Sequence, residues 1–200
     1  MNRRAMSTVR TGLLALSLAL LSTGCGSAAS PPPLAGAAMG GPFELVDGQG
    51  QTVRWSDFDG QYRIIYFGFT YCPDICPTDV QRMSQGLRMF ERTEPKLGAE
   101  VQPIFIAVDR QRDTPEKLRE FASNFHPRLL TLSGSTRQLD EAAENFGAFY
   151  SIGEKQPDGS YAVNHSTATV LYGRDGEPLA ILPTEEGAEA VATELGRWVS

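Results

Sequence analysis

The sequence predicts a layered α/β domain, and three observations carry that reading. Ile64–Phe69 and Val101–Val108 are short apolar runs with the length and composition of buried strands. Each is followed by a stretch opened by a proline, Pro77 and Pro115, in which apolar residues recur at helical spacing. Two further apolar runs face each other across Gly173-Arg174-Asp175-Gly176, ahead of a last helical stretch. Strands that alternate with helices build a sheet covered by helices.

In chain order, Phe43–Val46 and Gln51–Val53 flank Asp47-Gly48-Gln49-Gly50, an N-terminal hairpin with a turn-forming centre. Ile64–Phe69 follows as a central strand. A helix is expected from Pro77 to about Thr93, with Val80, Met83, Leu87 and Phe90 on one face. Pro77 suits its first turn, where a missing N–H costs nothing. Val101–Val108 is a second buried strand, and Pro103 inside it predicts an edge or a bulge. Thr114 caps a helix opened by Pro115 and carrying Leu118, Phe121 and Phe125. A short strand over Leu129–Leu132 and a helix from about Arg137 to Phe146 come next. Tyr161–Tyr172 and Leu179–Leu182 make the closing hairpin, and a helix from about Glu185 to Val199 ends the chain. Tyr66, Phe67, Phe69 and Tyr71 alternate across the first central strand and read as core. The order strand, cysteine motif, helix, strand, helix, hairpin, helix is that of a thioredoxin-like fold, a central mixed sheet flanked by helices.

Ahead of Phe43 the composition changes. Arg3, Arg4 and Arg10, an apolar segment from Leu13 to Leu21, and Ser22-Thr23-Gly24-Cys25 make an export signal whose apolar run is too short to span a bilayer as a helix. The end at Gly24-Cys25 resembles a bacterial lipobox, although Leu21 sits one position further from the cysteine than is usual. The alternative is an ordinary secretory signal cleaved nearby, and the flanks of Arg3-Arg4 fit twin-arginine export poorly. The expectation is a lipoprotein signal peptide over 1–24, lipidation at Cys25, a flexible lipid-anchored linker over 25–42 and a folded domain over 43–200. Ser27-Ala28-Ala29-Ser30-Pro31-Pro32-Pro33 and the small residues after it cannot form a core and suit a tether. The protein is then exported, held at a membrane and facing the periplasm or another extracytoplasmic space. Removing the first 24 residues, three of them Arg and none acidic, takes the net charge from -6 to about -9 and leaves 176 residues, enough for one domain with a core. An acidic exported protein of this kind is not a nucleic-acid binder.

With Cys25 taken by lipid, Cys72 and Cys76 are the thiols of the mature chain, which has three cysteines in all before processing. A structural disulfide is the ordinary reading of such a pair. A bridge over three intervening residues, however, closes too small a loop to constrain much of the unfolded chain. The pair reads as chemistry instead: soft ligands for a metal, or a dithiol that exchanges electrons.

Phe67-Gly68-Phe69-Thr70-Tyr71-Cys72-Pro73-Asp74-Ile75-Cys76-Pro77-Thr78 resembles the signature of the Sco/SenC copper chaperones. So do Val108-Asp109-Arg110-Gln111-Arg112-Asp113-Thr114, Phe125-His126-Pro127 and Asn164-His165-Ser166, and the likeness runs from about Gly41 to the C-terminus. Two positions depart from the family pattern. Asp109-Arg110-Gln111-Arg112-Asp113 replaces the usual Asp-Pro-Glu-Arg-Asp, and Asn164 stands where an Asp usually precedes the histidine. The resemblance implies copper, as Cu(I) or Cu(II), bound by Cys72, Cys76 and His165. It implies delivery to the subunit of cytochrome c oxidase that carries the CuA site, loading by a copper donor protein, and a thiol reductase as a further partner. Residue chemistry agrees: thiolates select Cu(I) and imidazole serves either oxidation state. If the helix begins within the motif, the two cysteines stack one turn apart, about 6 Å between Cα atoms. The positive helix N-terminus would then favour both thiolates. Structural zinc normally takes four N or S ligands, and the one other histidine, His126, reads as the end of a helix. Asp109 has two readings, orienting His165 or a partner, and satisfying loop N–H groups together with Asp113; Arg112 is placed to pair with them.

Two other functions remain open. A thiol–disulfide oxidoreductase acting on oxidase or other exported cysteines would use the same pair, redox-active as a Cys72–Cys76 disulfide, although redox thioredoxins typically carry Cys-x-x-Cys. A peroxidase is the third, but Thr70 sits two residues before Cys72 where peroxiredoxins resemble Thr-x-x-Cys. Neither needs His165.

Overall fold

The structure is a computed structural model that describes residues 30–200. The expected signal peptide and the lipidated Cys25 lie outside the described residues. The strands are β1 (Glu44–Asp47), β2 (Thr52–Arg54), β3 (Tyr62–Gly68), β4 (Val101–Ala107), β5 (Leu130–Ser133), β6 (Tyr150–Ile152), β7 (Val163–His165), β8 (Thr169–Tyr172) and β9 (Pro178–Leu182). The helices are α1 (Ile75–Thr93), α2 (Pro95–Ala99), α3 (Pro115–Ser123), α4 (Thr136–Asn145) and α5 (Ala188–Trp198). Among the described residues, no helix is long and apolar enough to cross a membrane.

Seven strands form one mixed sheet in the order β2-β1-β5-β4-β3-β8-β9, and β6 with β7 forms a separate ribbon. At its centre β3, β4 and β5 run parallel, while β1 and β8 join them antiparallel. Parallel neighbours need a crossover, which α1 supplies between β3 and β4. Side chains alternate across the sheet. Tyr62, Ile64 and Tyr66 of β3 pack with Val80, Met83 and Leu87 of α1, Leu118 and Phe121 of α3 and Val191 and Leu195 of α5. On the opposite face Ile65 and Phe67 meet Ile104, Ile106 and the α4 residues Leu139, Ala142 and Ala143. The thioredoxin-like architecture is therefore the one expected from the pattern of strands and helices.

Local differences have local causes. Pro103 lies in the interior of the sheet rather than at an edge or bulge, with β3 on one side and β5 on the other. It is tolerated because the β4–β5 ladder starts one residue later, at Ile104↔Leu130. There the Gln102 amide donates to the carbonyls of Pro103 and Arg128 at 3.0 and 2.7 Å, in place of ladder bonds. The stretch expected as one strand, Tyr161–Tyr172, is split between β7 and β8, with β7 paired to the unanticipated β6. Tyr71 is 51% exposed, so the aromatic run is core only as far as Phe69. Residues 34–42, expected within the tether, lie against the domain. The Leu34 N–H donates to the Leu179 carbonyl, and Gly40 N–H donates to that of Asn145. A Cβ on Gly40, at φ +93, would meet the Tyr172 ring at 2.8 Å.

The tightest helix contact is α1 against α5. A Cβ on Gly86 would lie 2.5 Å from Val191 Cγ1 and 2.8 Å from the Ala188 carbonyl oxygen. Gly86→Ala should therefore push the two helices apart. Overpacking of this kind costs about 1–3 kcal/mol, against a gain of about 1 kcal/mol in helix propensity. Urea unfolding should show a lower midpoint for the variant; an unchanged or higher midpoint would show that α5 yields freely.

Candidate metal centre

The centre is built where β3 hands the chain to α1. The chain turns after Phe69, whose carbonyl accepts the Cys72 N–H at 3.2 Å. The helix starts at Ile75, two residues before the expected Pro77, so Cys76 falls inside its first turn. Pro77 still costs nothing there, because the N–H groups of the first turn have no intrahelical partner. Asp74, at the N-cap, contributes no side-chain bond. Cys72 does the capping instead: its Sγ accepts the Cys76 N–H at 3.3 Å.

His165 arrives from the far end of the chain on the β6–β7 ribbon, opposite Tyr150. Its Nε2 lies 3.2 Å from Cys76 Sγ, and its Nδ1 lies 2.8 Å from the Ser166 carbonyl oxygen. A carbonyl oxygen only accepts, so Nδ1 carries the hydrogen and Nε2 presents its lone pair to the thiols. The rings of Phe69 and Tyr66 stand edge-on to the imidazole at 5.6 and 6.1 Å. One ligand atom from each of Cys72, Cys76 and His165 lies within 4.8 Å of the others. Cys76 is fully buried and Cys72 partly exposed; both are free thiols. Burial pushes the Cys76 thiol well above its ordinary pKa, aided by its contact with Cys72 and opposed by hydrogen bonds from Phe69 and Tyr66. Here burial outweighs the helix N-terminus, which the sequence pattern alone had credited with favouring both thiolates.

The loop after β4 braces this corner. Asp113 accepts the Thr70 N–H and hydroxyl at 2.8 and 2.7 Å and the Asp109 N–H at 3.1 Å. Asp109 pairs with Arg112 and accepts the Tyr161 hydroxyl at 2.7 Å. The Arg112 guanidinium lies 3.9 Å from the Tyr161 ring centroid and 5.5 Å from that of Tyr71. No hydrogen bond joins Asp109 to His165 among the described residues. Asn164 points elsewhere, donating to Ser151 at 3.4 Å, so the Ser166 carbonyl is what orients the imidazole. His126 sits apart, buried, with Nε2 3.1 Å from Glu91 and Nδ1 accepting the Arg128 N–H at 3.2 Å. Sequence reasoning missed Tyr161 and the buried pair Tyr66–Asp79. An aromatic in a polar loop four residues before His165, and an acid four residues before Met83 on the apolar stripe of α1, were the available signals.

A thioredoxin-like domain carrying two thiols and an imidazole at the start of α1 is a recognisable class. The SCO1/SenC family profile matches residues 32–200, and the chain belongs to that family. It is 41% identical over 165 residues to the mitochondrial protein SCO2 homolog of Mus musculus, covering 82% of this chain and 64% of that protein. The Homo sapiens SCO2 homolog is 44% identical over the same length, covering 82% of this chain and 61% of the relative. The chain thus spans less than two thirds of the length of these relatives. Among solved structures, ScoI of Bradyrhizobium japonicum with copper bound matches with a TM-score of 0.72 at 33% identity, over 80% of this chain and 99% of that one. Yeast Sco1 with copper bound matches at a TM-score of 0.73 and 31% identity, over 81% of this chain and 88% of its own.

The unequal surroundings of the two thiols have a direct consequence. Iodoacetamide should modify Cys72 at least about tenfold faster than Cys76 in the folded, metal-free chain, because burial both seals the Cys76 sulfur and holds its thiol protonated, whereas Cys72 is partly exposed. Timed labelling followed by peptide mass spectrometry reads the ratio. Equal rates would mean that the Cys76 sulfur is not sealed by the core.

Proposed function

We propose that this protein is a copper metallochaperone that holds one copper ion between Cys72, Cys76 and His165 and passes it to cytochrome c oxidase, at its CuA site, during assembly. The single observation that carries the reading is the convergence of the two sulfurs and the imidazole nitrogen within 4.8 Å. Two thiols and one nitrogen suit copper, and Cu(I) in particular. They fall short of the four ligands of a structural zinc site. The copper is cargo. Loading it displaces the proton that the Cys76 thiol shares with His165 Nε2, so capture releases protons and strengthens as pH rises. Partly exposed Cys72 is the natural point of handover. Exposed Tyr71 and Ile75, each beside a ligand in the chain, offer a partner apolar contact around the mouth.

The reading includes lipidation at Cys25, a head facing an extracytoplasmic space, a copper donor and a thiol reductase. The reductase follows from chemistry. In an oxidising compartment Cys72 and Cys76 tend to close a disulfide, which removes both thiolates from the metal. The same pair supports a second reading, a thiol–disulfide oxidoreductase, favoured by the capped, accessible sulfur of Cys72 at a helix N-terminus.

Copper titration of the reduced chain should give one ion per chain that survives dialysis. Cys72→Ser or Cys76→Ser should nearly abolish binding, and retention by the double variant would remove the site. His165→Ala should weaken binding by orders of magnitude with the fold intact by circular dichroism. His126→Ala, outside the centre, should leave affinity unchanged; equal damage from both would show a ligand wrongly chosen.

Oxidation supplies an independent check. Once the apo chain has lost its free thiols, added copper should bind far more weakly than to the reduced chain, and a reductant should restore binding. Equal affinity in the two states would refute the redox gate.

A further inference from the structure

Asp79 is a buried carboxyl on the apolar face of α1, 3% exposed, and among the described residues it has no ion-pair partner. Burying such a group is costly unless its hydrogen bonds are made. The Tyr66 hydroxyl donates to its Oδ2 at 3.2 Å, and the Thr184 hydroxyl is its other partner. Tyr66 is itself fully buried, edge-on to His165, with its hydroxyl beside the Cys76 sulfur. A phenol has a single hydrogen to give. Two acceptors compete for this one: the Asp79 carboxyl, at 3.2 Å, and the Cys76 sulfur, which the same hydroxyl also reaches.

We propose that Asp79 is a positioning residue that draws the Tyr66 hydroxyl proton away from Cys76, keeping that sulfur a full-strength electron donor to copper. The inference rests on the copper reading of Cys76. A hydrogen bond to a metal-bound sulfur withdraws electron density from the metal–sulfur bond and shifts both affinity and reduction potential. Asp79 prevents one. The acid thus acts on the metal through Tyr66, without touching it, and its burial in the first turns of α1 acquires a purpose beyond packing.

The test is a double-mutant cycle on the full chain loaded with copper. Asp79→Leu replaces the carboxyl with a larger apolar group, removes the acceptor and leaves the Cys76 sulfur as the acceptor beside the freed hydroxyl. The thiolate-to-Cu(II) charge-transfer band should move to shorter wavelength. Copper affinity, read by chelator competition, should fall about tenfold, the lower end for loss of a group that supports a ligand. In a Tyr66→Phe background the same Asp79→Leu substitution should produce neither change. Should the Leu variant fail to fold, Asp79→Ala is read in the same cycle. Effects of equal size in both backgrounds would overturn the inference, because they would not pass through the hydroxyl. A wild-type chain that shows no thiolate-to-copper band would overturn the copper reading and this inference with it. A normal wild-type band with a failed cycle overturns this inference alone.

Discussion

The parallel pairing of β3 with β4 is the constraint on which the rest depends. Seven residue pairs, from Tyr62↔Val101 to Gly68↔Ala107, bring both strands to the same edge of the sheet, and Val108 N–H extends the ladder to the Gly68 carbonyl. Loops at the carboxyl ends of parallel strands are neighbours by construction, and this edge is where α/β sheets place their ligands. One loop carries Cys72 and leads into α1. The other carries Asp109, Arg112 and Asp113. Because β8 runs antiparallel to β3, the chain entering β8 arrives at that same edge, and it brings His165.

Buried polar contacts tie the three loops together. Asp113 satisfies two groups of Thr70 and one of Asp109, so its loss would leave three donors without partners, each costing about 1–3 kcal/mol where buried. Burial alone would raise the Asp113 pKa, and the hydrogen bonds from Thr70 and Asp109 oppose that rise. Arg112 joins the loops by stacking: it is bonded to Asp109 and lies over Tyr161 from the histidine side and Tyr71 from the cysteine side. A three-ligand site drawn from loops about 90 residues apart in the chain needs such bracing, because misplacement of one ligand loses the set.

The two thiols are chemically unequal, and the inequality suits a carrier. Cys76 is sealed in the core against His165, Tyr66 and Phe69, whereas Cys72 caps the helix from a partly exposed position. A sealed ligand retains the ion; an accessible one opens the way to exchange. The same asymmetry gives any disulfide chemistry a direction, with Cys72 the sulfur that a partner thiol can reach.

The sequence by itself determined the class of fold, because buried strands and amphipathic helices write their period into the chain wherever one face meets a core. It also determined the cysteine pair, since four-residue spacing at a strand-to-helix junction is a local property. His165 was legible only through its resemblance to a family motif; the residues alone gave a histidine on a strand of unknown neighbourhood. The rest was decided in three dimensions. Pro103 looked like an edge residue, yet sits inside the sheet, because β5 is short and the Gln102 amide replaces the missing ladder bonds. The strand over Tyr161–Tyr172 broke into two because its first part pairs with β6 outside the main sheet. For Asp79 and Tyr161 the sequence offered only their placement, an acid on an apolar helix stripe and an aromatic just before His165; their partners depend on where the sheet sets each backbone. Local periodicity fixes which face a residue occupies; only the packed sheet fixes what stands opposite.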